Sequence, residues 1–154
     1  MTMPSDMVAF NAEVAERFRA QQGSGPLTGG RLGTAGQINA DFLLLLTTTG
    51  ARSGEPRTTP LGWLRIDGLL VVLASNVGAP RHPGWYHNLV RNPRVTVELG
   101  AGSFPATARV ATGAERERLW EGAVAQRPFF TDHQAKTDRQ IPIVVLEPDG
   151  NDRA

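Results

Sequence analysis

The sequence contains no cysteine, and this absence excludes several kinds of chemistry. A disulfide framework, a thiolate metal site, an iron–sulfur cluster and a cysteine nucleophile all require that residue. The net charge is only +1, which argues against binding of duplex nucleic acid, because such binding needs a basic face. No apolar run approaches the length of a membrane span, and no signal-peptide pattern opens the chain. We therefore expect one ordinary domain in the cytoplasm.

The common catalytic motifs are also missing. There is no G-x-S-x-G elbow, no phosphate-binding Walker loop, no H-E-x-x-H and no evident carboxylate pair. His82 and His87 are five residues apart, a spacing that does not stack them on one helical face, and no carboxylates join them. We expect no metal site. Lys136 is the only lysine and Tyr86 the only tyrosine, so the placement of the arginines matters most.

The chain divides into an N-terminal part, residues 1–36, a domain at residues 37–150, and a tail at 151–154. Residues Ser5 to Gln22 are predicted to form a helix, since Met7, Phe10, Val14 and Phe18 share one face. This face indicates docking on a core, and peripheral membrane or partner contact remains an open alternative. The glycine-rich segment from Gly23 to Gly36 is predicted to be a flexible connector.

The remainder is predicted to be mainly β, with a closed or half-closed barrel carrying helices on its outside. The Leu and Thr run ending at Thr49 is typical of a strand buried on both faces. Pro60 is expected to interrupt the second strand at an edge or bulge, and Thr112 with Glu115 to form a capping box. About six strands and three helices are predicted: strands Phe42 to Thr49, Arg57 to Ile66, Leu69 to Ala74, Arg94 to Leu99, Phe104 to Val110 and Ile141 to Leu146, with helices at Ser5 to Gln22, Pro83 to Arg91 and Thr112 to about Gln126.

Two segments carry most of the polar chemistry. The first places Arg52, Ser53 and Arg57 in a glycine-bounded turn, where backbone N–H groups and arginine forks suit phosphate or carboxylate oxygens. A solvated hairpin loop is the alternative. The second runs from Ala74 to Leu89, where a small polar loop enters a helix carrying Trp85 and Tyr86. Here the alternative is a connecting loop with Trp85 in the core.

Together these segments resemble the deazaflavin-dependent nitroreductase family. Its pattern T-T-x-G-[basic]-[basic]-S-G-x-x-R-x-x-P-L is matched through Leu61, and A-S-x-G-G-A-x-x-x-P-x-W-Y-x-N-L is matched from Ala74 through Leu89. A third pattern, R-x-I-P-[apolar]-V-[apolar]-x-E-P, is matched from Arg139 through Pro148. The resemblance implies a split β-barrel, of the type that binds FMN or acts as a pyridoxamine-phosphate oxidase. It also implies coenzyme F420, a deazaflavin with a phosphate and an oligoglutamate tail.

The same resemblance assigns roles to individual residues. Ser75 would hydrogen-bond the acceptor, and His133 is a second candidate donor near it. The arginines of the first segment would hold the anionic tail, and the remaining residues would line the cofactor pocket. The residues so assigned to cofactor binding are Ala51, Arg52, Ser53, Arg57, Thr58, Thr59, Pro60, Leu61, Leu73, Ala74, Ser75, Asn76, Trp85, Tyr86, Asn88 and Phe130.

The sequence departs from the family pattern at several positions. Ala51 replaces a basic residue, and Val77 replaces a glycine, so we expect the loop around Val77 to differ locally, because β-branched residues resist positive φ. The nitroimidazole-reducing members carry tyrosines where this chain has other residues, which weighs against nitroimidazole reduction. These positions are Gly62, Arg127, Phe130 and His133.

The resemblance implies an F420-dependent reductase that transfers a hydride to a conjugated acceptor such as a quinone, an enone or a nitro compound. Two alternatives remain open. One is an FMN-dependent oxidoreductase on the same fold, and the other is a non-catalytic protein that binds or sequesters the deazaflavin. The expected partners are a small-molecule acceptor and no nucleic acid, with homodimer formation left open.

Overall fold

The computed structural model describes residues 5–32, 36 and 38–149, and within them a seven-stranded antiparallel sheet curls into a half-closed barrel. The predicted fold class is therefore confirmed. The strands of the sheet are β3 (Leu43–Thr49), β4 (Pro56–Gly62), β5 (Leu64–Ile66), β6 (Leu69–Leu73), β7 (Arg94–Leu99), β8 (Gly102–Val110) and β9 (Ile143–Pro148), preceded along the chain by the short strands β1 (Pro26–Leu27) and β2 (Ile38–Asn39). The strand order in the sheet is β4-β3-β7-β8-β9-β6-β5.

Four α-helices lie among the described residues, one more than predicted. The additional helix begins directly after Pro128 and is only seven residues long. Its aromatic residues at 129 and 130 gave no helical periodicity in the sequence, which explains why it was missed. The helices are α1 (Ser5–Ala20), α2 (Gly84–Arg91), α3 (Gly113–Gln126) and α4 (Phe129–Ala135). None of the helices in these described ranges is long and apolar enough to cross a membrane.

Strand β3 is covered on both of its faces, and this accounts for its continuous apolar run. Leu44 and Leu46 point into the cluster inside the barrel, whereas Leu45 packs outside against Val14 and Phe18 of α1. The three leucines are completely buried. Because successive side chains of a strand alternate between faces, a strand covered on both sides shows a continuous apolar pattern. The apolar face of α1 is thus used for packing, although Met7 remains 45% exposed.

Several boundaries differ from the sequence-based predictions. Pro60 does not interrupt its strand: it pairs with Leu45 at the edge of the sheet, and the break occurs at Trp63, between β4 and β5. The edge position was correct, and there the missing N–H of proline leaves no ladder bond unmade. The predicted capping box is wrong, because Thr112 makes no side-chain cap and Glu115 instead accepts two hydrogen bonds from Arg109, at 2.6 and 2.9 Å.

The glycine-rich segment is not simply a flexible connector. Its described residues form strand β1, which pairs with β2, and a 3-10 turn at Gly30–Leu32. Gly23, at φ 67°, packs so closely on Gly100 that an added Cβ would lie 2.4 Å from its carbonyl oxygen. Residues 33–35 of this predicted connector, residue 37 at the start of the predicted domain, and the predicted tail at 151–154 lie outside the described residues.

Candidate functional site

The turn between β3 and β4, residues 50–55, is held by hydrogen bonds within itself. Gly50 N donates to the Glu55 carbonyl at 2.8 Å, and Gly54 N donates to the Gly50 carbonyl at 3.0 Å. The Ser53 hydroxyl accepts from Glu55 N at 3.1 Å. An added Cβ at Gly50 would lie 2.5 Å from Ser53 Oγ, so a larger residue here would displace the serine hydroxyl from its place in the turn. The sequence-predicted Ser53 thus has part of its hydrogen-bonding capacity used within the turn.

Arg52 and Arg57 of this segment are exposed, and neither pairs with a carboxylate of the described residues. Arginines elsewhere in the chain differ from these two, because several of them pair with carboxylates. Outside this region, six arginines form ion pairs at 3.6 Å or less: Arg19 with Glu98, Arg31 with Glu13, Arg94 with Asp149, Arg109 with Glu115, Arg116 with Glu117, and Arg118 with Asp67. The turn and the start of β4 therefore present two positive charges that the carboxylates of the described residues do not neutralise.

Asn88 of α2 joins the turn to the second polar segment. Its Oδ1 accepts from Ala51 N at 2.9 Å, and its Nδ2 donates to Thr48 Oγ1 at 3.1 Å. Thr48 is only 1% exposed. Asn92, which directly follows the last residue of α2, donates to the Thr49 carbonyl at 3.4 Å. The structure thus brings the two sequence segments together, and Asn88 acts as the brace between them.

The predicted ring-lining residues differ in how much surface they offer. Ala74 and Trp85 are buried in the barrel interior, whereas Leu73 packs on the outer face of the sheet with residues of α3. Leu73 and Trp85 therefore lie on opposite sides of the sheet, and the structure does not bring these two side chains together. Asn76 is exposed, and Tyr86 is half-buried with its ring centroid 4.6 Å from that of His82.

Residues Thr58 to Leu61 are all half-buried along the edge strand β4. Thr58 Oγ1 hydrogen-bonds Thr47 Oγ1 at 2.8 Å, and Leu61 packs against the interior cluster. Because β4 is an edge strand, its outer backbone groups have no neighbouring strand of the sheet. This strand therefore offers main-chain donors and acceptors next to the arginine-bearing turn.

The two predicted catalytic residues are in contact. Ser75 Oγ lies 3.1 Å from Nδ1 of His133, which comes from α4. The His133 ring is flanked by Phe129 and Phe130, with centroids 5.2 and 5.8 Å away. Burial is the main cause that lowers the pKa of His133 below its ordinary value; Lys136 lowers it further and Asp132 opposes the change. Burial of this side chain therefore favours its neutral form.

The loop that carries Ser75 is held by a residue that the sequence-based site assignment missed. Arg139 donates to the carbonyls of Ala74, Ser75 and Ala79, at 3.1, 2.7 and 3.0 Å. Its Nη1 also lies 3.0 Å from Nδ1 of His82. The pKa of His82 is lowered first by burial, then by the charges of Arg139 and His87. Only the R-x-I-P motif pointed to Arg139, and the sequence offered no sign of what it contacts.

The same loop contains two consecutive non-glycine residues in the left-handed region, Asn76 at φ 47° and Val77 at φ 55°. Val77 therefore adopts the conformation expected of the glycine it replaces, contrary to the expectation that this residue would resist positive φ. Gly78 packs against α4, where an added Cβ would lie 2.6 Å from the His133 carbonyl oxygen. This close approach is what fixes the loop beside α4.

No group of three potential metal ligands occurs within residues 5–32, 36 and 38–149.

Comparison with known proteins identifies the family to which this site belongs. A model of the F420H(2)-dependent quinone reductase family matches residues 17–148, which is most of the chain. The chain belongs to this family. The expectation of a deazaflavin-dependent reductase is thereby confirmed, whereas activity on nitro compounds remains a prediction.

Relatives and solved structures agree with this assignment. An F420H(2)-dependent quinone reductase of Mycobacterium tuberculosis (strain H37Rv) is 40% identical over 122 residues, covering 74% of this chain and 82% of that protein. The structure of an F420-H2 dependent reductase is 43% identical with a TM-score of 0.63, covering 69% of this chain and 94% of that one. A structure described as a domain-swapped dimer is 37% identical with a TM-score of 0.66, covering 94% of this chain and 100% of that one.

Proposed function

We propose that this protein uses reduced coenzyme F420 to reduce a quinone by hydride transfer. Family membership makes it an F420-dependent reductase, and the choice of a quinone is supported by the name of the 40% identical relative from Mycobacterium tuberculosis. The coenzyme supplies the hydride when bound, and the protein has to bind it, position it and exclude water. Enones and nitro compounds are further acceptors of the same electrophilic class.

The observation that carries the cofactor assignment is the pair of arginines without counter-ions. We expect Arg52 and Arg57 to hold the phosphate and glutamate carboxylates of the coenzyme, because guanidinium groups bind such oxygens in bidentate geometry. The described carboxylates do not compete for them. Since Asn88 braces the turn against α2, these charges are held beside the second polar segment.

The ring of the coenzyme would lie between the edge strand and the loop after β6. Thr58 to Leu61 offer half-buried backbone there, and Asn76 and Tyr86 offer accessible polar and aromatic surface. The side chains of Leu73, Ala74 and Trp85 are buried, so we expect these three residues to shape the pocket from behind. Phe130 and the neighbouring Phe129 form an apolar border beside His133 that suits a flat acceptor.

Ser75 is proposed to donate its hydroxyl hydrogen to the acceptor oxygen. As the acceptor is reduced, negative charge develops on that oxygen, and a donor already in place stabilises the charge. The Ser75 backbone is held by Arg139, whose Nη2 lies 2.7 Å from the Ser75 carbonyl oxygen. The backbone of Ser75 is therefore held in place, and a hydrogen-bond donor of this kind requires such a fixed backbone.

The test combines a binding titration with a turnover assay. We expect the purified protein to bind F420 more tightly than FMN, and reduced F420 to be oxidised when a quinone is added, which is followed by the absorbance of the deazaflavin. Preference for FMN would contradict the cofactor assignment. Tight F420 binding without oxidation by any quinone, enone or nitro compound would instead favour a sequestering protein.

We also propose that the protein forms a homodimer. The support is the domain-swapped dimer that is 37% identical and covers 94% of this chain. Sedimentation of the purified protein over a range of concentrations tests this proposal, and a monomer at all concentrations would contradict it.

A further inference from the structure

The hydroxyl of Ser75 bonds to a side chain from a distant part of the chain. Nδ1 of His133, 58 residues further on, lies 3.1 Å from Ser75 Oγ. Ser75 precedes the turn at Asn76–Gly78, and its side chain makes no hydrogen bond to the backbone of that turn. Its contact with His133 is therefore not secondary to a role in closing the turn.

Both members of the pair are held by backbone contacts, so their approach is a property of the fold. Arg139 binds the carbonyls of Ala74 and Ser75. On the other side, Gly78 packs against the His133 carbonyl, where a Cβ would lie at 2.6 Å. Ser75 is 8% exposed, which leaves its hydroxyl few directions in which to find another partner.

The direction of this hydrogen bond determines what Ser75 can do. A serine hydroxyl has one hydrogen to donate and two lone pairs that accept. If Nδ1 of His133 accepts, the hydroxyl hydrogen points at the imidazole and is no longer available. If Nδ1 carries the proton, it donates to Ser75 Oγ, and the hydroxyl hydrogen is free for a substrate oxygen.

We propose that His133, protonated at Nδ1, is a positioning residue that donates to Ser75 Oγ and so directs the Ser75 hydroxyl hydrogen toward the acceptor oxygen. This inference rests on the proposed function, because it names the residue that orients the donor used there. His133 itself does not touch the acceptor and acts through Ser75. Its effect is to supply an oriented donor before the acceptor arrives.

The first test needs neither coenzyme nor acceptor. The sequence has only three histidines, so the imidazole nitrogen signals of ¹⁵N-labelled protein can be assigned with the variants His82→Gln and His87→Gln. We expect His133 to be the Nδ1–H tautomer at pH 7.5 and to lose this preference in Ser75→Ala. Protonation at Nε2, with Nδ1 as the acceptor, would overturn the proposal.

The second test is a double-mutant cycle in turnover. We expect Ser75→Ala to lower kcat roughly 100-fold, as for loss of one oxyanion donor, and His133→Phe to lower it about 10-fold with little change in the affinity for coenzyme. His133→Asn, which places an amide N–H near the Nδ1 position, should restore most of kcat. In the Ser75→Ala background, His133→Phe should add almost nothing, because the two residues act as a unit.

Controls separate this role from a merely structural one. Thr131→Val, on the exposed side of the same helix, should leave kcat and the His133 tautomer unchanged. A further 10-fold loss from His133→Phe in the Ser75→Ala background would overturn the proposal. Failure of the wild type to reduce any quinone would contradict the proposed function, while the tautomer measurement would still decide the role of His133.

Discussion

The turn at residues 50–57 and the loop at residues 74–79 both follow strands of the barrel, yet they are stabilised in different ways. The turn is closed mainly by hydrogen bonds between residues at most five positions apart, with one longer-range bond from Ala51 N to Asn88, and its arginines are exposed. The loop is held by Arg139 and packs on α4, both more than 50 residues further along the chain. The turn depends mainly on local contacts and carries exposed charges, whereas the loop depends on residues distant in sequence and buries its Ser75.

Because of this difference, a substitution is expected to have different effects in the two regions. In the turn, an arginine can be removed without breaking any described protein contact, so the effect falls on ligand binding. In the loop, the groups that orient Ser75 also satisfy backbone carbonyls, so function and stability change together.

The largest effect is expected for Arg139→Ala. The variant leaves the carbonyls of Ala74, Ser75 and Ala79 without their donor, which we expect to lower the free energy of unfolding by about 2–4 kcal/mol. Turnover should fall as well, because Ser75 loses its anchor. Denaturant unfolding measures the first effect. Arg118→Ala, which removes only an exposed ion pair with Asp67, should lower the free energy of unfolding by less than about 1 kcal/mol. Equal losses of unfolding free energy in the two variants would contradict this role of Arg139.

The next effect concerns the turn. Arg52→Ala and Arg57→Ala should each weaken F420 binding by roughly 1–3 kcal/mol through the loss of charge-assisted hydrogen bonds. Their unfolding free energies should stay close to that of the wild type, and the loss of affinity should be smaller for a coenzyme lacking its glutamates. Fluorescence titration of the coenzyme measures the affinity, with Arg118→Ala as the matched control. Unchanged affinity in both variants would disprove the assignment of the tail.

A smaller effect is expected from relief of backbone strain at Val77. Asn tolerates the left-handed region better than a β-branched residue, so Val77→Asn should raise the free energy of unfolding by about 1 kcal/mol. Val90 is a matched control, since it is also exposed but lies within helix α2. Val and Asn have similar helix propensities, so Val90→Asn should change stability little. A stabilisation of the same size at both positions would refute the strain explanation.

The smallest effect is a pH dependence of stability. The pKa values of His82 and His133 are lowered in the folded protein, chiefly by burial. The unfolded chain therefore takes up protons first, and the free energy of unfolding should fall as the pH drops below about 6.5. His82→Asn keeps an acceptor for Arg139 but cannot be protonated, so its unfolding free energy should vary less between about pH 5 and pH 7. The same dependence in both proteins would contradict this account.

The fold could be predicted from the sequence where the pattern is local. The apolar run of β3 and the Asp67-Gly68 turn between β5 and β6 gave the strands directly, because periodicity and turn chemistry are written in neighbouring residues. Helix α4 was missed since its seven residues are too few to show a period. The break at Trp63 was misplaced because Pro60 is tolerated on an edge strand, and edge position is a property of the whole sheet.

The candidate site likewise has residues that sequence motifs located and contacts that only the structure shows. Motifs located Arg52, Arg57 and Ser75 individually, and His133 was only one candidate donor among residues of the acceptor side. That Ser75 and His133 are hydrogen-bonded could not be foreseen, because their separation of 58 residues is bridged only by the docking of α4 on the loop after β6. Arg139 was overlooked for the same reason, since its partners are backbone carbonyls, which no sequence motif displays.

The sequence by itself determined where charge is concentrated, which family the motifs resemble, and that no cysteine thiol of this chain takes part in the chemistry. These properties depend on residue type and short spacing. Only the tertiary structure decided that Asn88 braces the arginine turn, that Arg139 holds the Ser75 loop, and that His133 reaches the Ser75 hydroxyl. Such contacts join segments brought together by burial of the sheet and its helices, and burial is a property of the whole chain.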